Sequence, residues 1–302
     1  MSCDILLTGA EGQLGWEVAR RVQAPLTVLA MTRGQLDITD REHVLNMISS
    51  TLPRVVINAA AYTAVDKAES NPDMAFSVNR DGPAYLAEAC SHNNLPLIHL
   101  STDYVFDGSK TTSYTEDDFP SPLGVYGESK HAGEIAVREA CAQHVILRTA
   151  WVYGVHGNNF VKTMLRLGKE RNQLRVVDDQ YGSPTFAGDL ADAVIAVARC
   201  MIDGAPPLEG MGTFHCAGNG ATTWCKFARK VFEVAGLRVD PAPDVQAITT
   251  AEYPTPARRP ENSVLDCGKL ARVYGIALRP WEEALTDMLD EVLAADIAAG
   301  TV

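Results

Sequence analysis

Tyr126 and Lys130 stand four residues apart in the run Tyr126-Gly127-Glu128-Ser129-Lys130. On a helix, residues i and i+4 project from one face. An ammonium beside a phenol favours the phenolate and lowers its pKa. Such a tyrosine can give a proton to a carbonyl or take one from an alcohol. Alone the pair says little, because an interfacial tyrosine near a solvated lysine is the commoner arrangement. Its weight comes from two other stretches. One is Ser101-Thr102-Asp103 at the end of an apolar run. Thr102 offers a hydroxyl to a carbonyl oxygen and Asp103 a carboxylate to a substrate hydroxyl; capping of a turn is the competing use. The other is a glycine-rich turn near the N-terminus.

The elements that must position these groups read as follows. Residues 5–8 form a short apolar run, expected as a buried parallel strand. Gly9-Ala10-Glu11-Gly12-Gln13-Leu14-Gly15 follows and opens a helix over 13–22. A strand, a glycine turn and a helix in that order bring backbone N–H groups against a pyrophosphate. A second strand over 26–31 ends in Thr32-Arg33, where a carboxylate would select a ribose 2′-OH. Arg33 there can pair with a 2′-phosphate, so NADPH is expected, with NADH tolerated. A helix over 41–50, capped by Thr39 or Asp40, leads to a third strand over 54–58. Ala59-Ala60-Ala61 after it are small enough for a dinucleotide to lie close; core packing is the plainer use of alanines.

A helix over 72–93 carries Asn79, a fourth strand covers 97–100, and the Tyr126 helix runs to 140 before a fifth strand at 145–149. Beyond residue 150 the pattern changes to ligand-type loops, a helix over 160–171 and a strand over 174–177. The helix over 187–202 has the apolar spacing of a sheet-packing helix, so the chain is expected to return to the first domain there. Pro206 and Pro207 mark a turn, 213–216 a strand, and 224–235 a helix capped by Thr222 or Thr223. The Tyr253–Asn262 stretch, with three prolines and Arg258-Arg259, is a rigid loop. It can clamp a diphosphate, though a solvated arginine pair is the plainer use. A final helix spans 278–293, followed by a frayed tail from 294. The fold class is α/β: a Rossmann-type doubly wound parallel sheet with a smaller C-terminal α/β domain. The dinucleotide domain is placed at 1–155 with the return at 187–216, and the substrate domain at 156–186 and 217–302.

Composition narrows the classes. A net charge of −12 argues against a nucleic-acid surface. No apolar run reaches transmembrane length, and Met1-Ser2-Cys3-Asp4 lacks the basic start of a signal peptide. Seven scattered cysteines without a C-x-x-C pair read as reduced thiols of a cytoplasmic protein, not as a zinc site.

Longer motifs carry a resemblance. Thr8-Gly9-Ala10-Glu11-Gly12-Gln13-Leu14-Gly15 resembles the extended branch of the short-chain dehydrogenase/reductase superfamily. Asn58 to Glu69, Ser101-Thr102-Asp103-Tyr104-Val105-Phe106, Arg148 to Tyr153, Asp179-Gln180-Tyr181-Gly182-Ser183-Pro184-Thr185 and Tyr253 to Pro260 narrow it to the dTDP-4-dehydrorhamnose reductases. The resemblance spans nearly the whole chain. It implies reduction of the 4-keto group of a dTDP-4-dehydro-6-deoxy-L-sugar by NAD(P)H. It implies Tyr126 as proton donor, Lys130 on the nicotinamide ribose and Thr102 as the carbonyl-polarising hydroxyl. It implies Asp103 and Trp151 on the sugar, and Asp37 and Ile38 along the adenine. Members of this family can also hold Mg²⁺ between two subunits through acidic side chains. Glu17 and Glu291 match two such positions, but Gly188, with Asp189 beside it, stands at the third. No metal is therefore expected, and a homodimer is left open. Two other readings compete: a nucleotide-sugar epimerase or dehydratase of the same branch, and a non-catalytic NADP-binding regulatory subunit.

Overall fold

A computed structural model describes residues 3–204, 207, 209–236 and 241–298. Pro206, expected in a turn, and the last four residues of the expected tail lie outside them. The centre is a six-stranded parallel sheet. Its strands are β1 (Ile5–Thr8), β2 (Val28–Met31), β3 (Val55–Asn58), β4 (Leu97–Thr102), β5 (His144–Thr149) and β10 (Gly212–His215). They lie in the order β10-β5-β4-β3-β1-β2. The order reverses between β1 and β3. In open sheets of this kind the ligand crevice lies at that point, beyond the strands' carboxyl ends.

Alternate strand residues feed two cores. Ile5, Leu7, Ile57, Ile98 and Leu147 pack against helix α8 (Ala187–Ile202) through Leu190, Val194 and Val197. Leu6, Val56, Leu97 and Ile146 face the other side with Val44, Leu86 and Val137. These come from α2 (Arg41–Thr51), α5 (Gly82–His92) and α6 (Val125–Ala140). β10 pairs with β5 at the sheet's edge, and α8 packs on one face of the sheet.

The second lobe has its own core. It joins α7 (Phe160–Glu170), α9 (Trp224–Ala235) and α11 (Trp281–Ala298) to the parallel pair β7 (Gln173–Val177) and β12 (Asp244–Ile248). Elements that were not expected include α3 (Val65–Ser70), β12 and α10 (Gly268–Tyr274). α10 packs through Leu270 on the first lobe, so 217–302 is divided between the two cores. The last helix begins at Trp281 and continues to Ala298, so 294–298 are helical and not a tail. The 72–93 helix is three pieces: α4 (Pro72–Phe76), a π turn over Ser77–Asp81, and α5. All seven cysteines are free, so no disulfide braces either lobe. Among the described residues no helix is long and apolar enough to cross a membrane.

Candidate active site

β4 is two residues longer than expected, because Ser101 and Thr102 pair with Arg148 and Thr149 of β5. Thr102 thus ends a buried strand, and the chain turns at once into a single 3₁₀ turn, Asp103–Val105. The Thr102 hydroxyl donates to Asp103 Oδ1 at 3.0 Å and accepts from Tyr104 N at 3.2 Å. Asp103 is buried, and its Oδ2 has no hydrogen-bond partner among the described residues. Burial pushes this carboxyl up to about 6.

α6 lies across this strand end, and two glycines allow the approach. A Cβ on Gly127 would sit 2.2 Å from Tyr104 O, and one on Gly133 would sit 2.0 Å from Asn79 O in the π turn. Asn79 accepts from Tyr62 N at 2.8 Å and donates to Ser129 Oγ at 3.0 Å, tying the π turn to α6. Tyr126 is half-buried in the first turn of α6, its ring edge-on to Tyr104 at 5.6 Å. Lys130, one turn on, is buried and donates to Leu100 O at 2.6 Å.

The expected lowering of the Tyr126 phenol by Lys130 does not occur in this arrangement. Burial pushes Tyr126 up to about 12; the Thr102 hydroxyl draws it back and the Asp103 charge raises it. The reason is geometric: the Lys130 ammonium is bonded to a strand carbonyl. Burial pushes Lys130 down to about 8, against the pull of Glu134. Glu134 is itself held well below the usual carboxylate range, despite burial, by the Arg148 guanidinium at 2.7–2.8 Å.

The glycine turn fits a dinucleotide. Gly9 has φ +75°, and a Cβ there would meet Ala60 N at 2.6 Å; a Cβ on Gly15 would meet Gly9 O at 2.1 Å. The turn is thus pressed onto the end of β3, beside half-buried Ala59, Ala60 and Ala61. α1 (Gln13–Arg21) starts from Gly12 with no side-chain cap and no acid in its first turn, leaving its positive end for an anion. Leu14 packs on the core beneath. Two other residues expected at the cofactor reach across to the second lobe. Gln13 Oε1 accepts from Asn159 Nδ2 at 3.1 Å, and the Glu11 carbonyl meets His156 Nε2 at 3.0 Å.

At the far end of the crevice, Arg33 is exposed and donates to Asp37 Oδ2 at 3.0 Å. A carboxylate thus does stand in the loop after β2, four residues beyond Arg33. Despite partial burial, Thr39 and Arg33 hold the Asp37 carboxyl below its ordinary range. Ile38 is buried, with Gly82 against its side chain. Trp151, the first residue past β5 and Ala150, has φ +46° and stacks on Trp224 at 3.5 Å.

Sequence reasoning missed Tyr104, Asp66 and the division of labour in Arg258-Arg259. Arg259 donates to Asp66 Oδ2 at 2.9 Å, which anchors the proline-rich loop to α3. Arg258 is exposed and lines a cleft of about 800 Å³ with Asp107, Ser121, Leu123 and Tyr253. A small cavity beside that cleft reaches Tyr104 and Tyr126. A second cleft, of about 610 Å³, lies across the same loop and is lined by Phe160, Trp224, Arg175 and Arg259. In the sequence only Tyr104's place in the Ser101–Phe106 stretch hinted at this; the Asp66–Arg259 pair spans 193 residues.

Known proteins resemble this chain over most of its length. A family model described as RmlD substrate binding domain matches residues 3–294. The dTDP-4-dehydrorhamnose reductase of Sinorhizobium fredii is 46% identical over 284 residues, covering 93% of this chain and 94% of that protein. The reductase of the same name from Escherichia coli is 43% identical, covering 96% and 98%. Among solved structures, a dTDP-4-dehydrorhamnose reductase from Clostridium acetobutylicum superposes with a TM-score of 0.89 at 41% identity, covering 96% of this chain and 99% of that one. One from Bacillus anthracis, solved in complex with NADP, gives 0.89 at 36% identity, covering 96% and 100%. With the glycine turn, the Thr102–Tyr126–Lys130 cluster and matches of this length in hand, the chain belongs to the dTDP-4-dehydrorhamnose reductase family.

Proposed function

We propose that this protein reduces the 4-keto group of dTDP-4-dehydrorhamnose, giving dTDP-L-rhamnose, with NADPH or NADH as reductant. The observation that carries the reading is the meeting of Thr102 and Tyr126 at the end of β4, with Lys130 one helical turn below. When bound, a reduced nicotinamide cofactor would supply the hydride to carbon four. Tyr126, whose high pKa keeps it protonated at neutral pH, gives its proton to the carbonyl oxygen. Thr102 holds that oxygen through its hydroxyl. Asp103 and Trp151 orient the sugar. Lys130 would hold the nicotinamide ribose and, on leaving Leu100 O, return a proton to the phenol. Gly9, Glu11, Gly12, Gln13, Leu14 and Gly15 form the pyrophosphate cradle through the backbone of the turn.

The two lobes divide the work: the first takes the dinucleotide, the second the nucleotide sugar. The cleft faced by Phe160 and Trp224 and rimmed by Arg175 and Arg259 suits a base and a diphosphate. Arg33 reads a 2′-phosphate by leaving Asp37, and Asp37 reads a 2′-OH, which supports use of both cofactors.

The test is oxidation of NADPH and of NADH with the dTDP-4-keto-6-deoxy-L-sugar, with the product identified as dTDP-L-rhamnose. Tyr126→Phe should lower kcat by roughly 10²–10⁴-fold with NADPH affinity nearly unchanged. Cofactor bound tightly but never oxidised, in the unaltered protein, would sink the reductase and leave a regulatory NADP-binding role. Retained, catalytic NAD⁺ with epimerised sugar would favour an epimerase.

A further inference from the structure

The family resemblance raises a divalent cation held by acidic side chains, and the side chains present here do not fit one. Glu17 on α1 is buried and already chelated. Its Oε2 accepts from Arg20 Nε at 2.7 Å and Arg21 Nε at 2.9 Å, and its Oε1 from Arg20 Nη2 at 3.0 Å. Arg20 then reaches Glu291 on α11 with both terminal nitrogens, at 2.9 and 3.1 Å. Arg21 reaches Asp192 on α8 at 2.8 Å. Asp189 is taken in the same way by Arg279, at 2.9 and 3.1 Å. At position 188 a Cβ would lie 2.4 Å from Arg21 Nη2, so the guanidinium occupies the space a carboxylate side chain would need. Gly188 and Arg21 are complementary.

The two Arg20–Glu291 bonds also cross the boundary between lobes. α1 and α8 pack on the central sheet, whereas α11 buries Leu285, Met288, Leu289 and Val292 in the second core. Arg20 lies over the Trp16 ring at 4.5 Å, which fixes its plane toward both carboxylates. A planar guanidinium makes two parallel bonds to each carboxylate and cannot lose its charge. A hydrated Mg²⁺ would need both carboxylates free of those donors.

We propose that Arg20 and Arg21 stand in for a divalent cation in this protein: they form a guanidinium latch that holds α11 of the second lobe on α1 and α8 of the first without metal. The latch follows from the fold and does not depend on the substrate proposed above, so its test reads stability and mass, not turnover.

Thermal melting and light-scattering mass are measured on the full chain after EDTA treatment, with and without excess Mg²⁺ added back. The melting temperature and mass of the unaltered protein should be the same in both. Arg20→Met and Glu291→Gln should each lower the melting temperature by about 2–4 °C. The double variant should fall no further than Arg20→Met alone, because both changes break one interaction. Should Arg20→Met not fold, Arg20→Lys with Glu291→Gln reads the same coupling. EDTA lowering the melting temperature of the unaltered protein, with recovery on Mg²⁺, would overturn the proposal. So would melting shifts of the two single variants that simply add.

Discussion

Asp103 pays for its position in stability. A carboxyl raised from 3.8 to about 6 is less stable in its ionised form within the native protein than in the unfolded chain. The native state is therefore favoured below pH 3.8, and that advantage is lost as pH rises through 6. At neutral pH the deficit is about 3 kcal/mol. Asp103→Asn should remove it, raising denaturation stability at pH 7 by about 1–3 kcal/mol while lowering kcat/KM. Unchanged stability would mean that solvent reaches the carboxylate. A second residue-scale prediction concerns pH. Tyr126 at about 12 stays protonated through the working range, whereas Lys130 at about 8 does not. The alkaline limb of kcat/KM should therefore fall near pH 8, as Lys130 loses its proton. A limb near the Tyr126 value would reverse that assignment. The sequence offered the residue types at these positions. The directions of their shifts came from burial, which no spacing reports.

α6 is the element on which the site depends. Its place is set by two glycines whose missing Cβ atoms let it touch backbone at Tyr104 and Asn79. Gly133→Ala would drive a methyl group to 2.0 Å from the Asn79 carbonyl, and backbone cannot swing aside as a side chain can. The expected cost is about 1–3 kcal/mol of stability, with kcat reduced as Lys130 shifts. Full activity would show that the π turn yields instead. Helix α6 was legible as a helix, expected from Tyr126 and observed from Val125, with the same last residue, Ala140. The π turn was not: Ser77–Asp81 looks like ordinary helix in sequence, and the extra residue per turn is imposed by packing against α6. In the same way β12 could be seen only once β7 was there to pair with it.

Across the whole molecule, Trp151 joins the lobes. It follows β5 of the central sheet, adopts a backbone conformation unusual for a tryptophan, and packs against both the second-lobe core and the cluster around Phe106. Gly182 has no Cβ because the Trp151 ring fills that space. Trp151→Ala should raise KM for the sugar nucleotide at least tenfold (about 1.4 kcal/mol or more) and leave NADPH affinity within about twofold, as titration calorimetry would show. Loss of both affinities together would make Trp151 a general strut.

The amino-acid sequence by itself determined the strands, the glycine turn and the Tyr126–Lys130 face, because apolar runs, glycine spacing and helical periodicity act over a few neighbouring residues. It also carried the family, because the motifs are long. Only the tertiary structure decided that Lys130 bonds a strand carbonyl, that Ile38 turns into the core and that Arg20 bridges Glu17 to Glu291. Each depends on desolvation or on a charge brought near by folding, and those energies exist only once distant segments exclude water together.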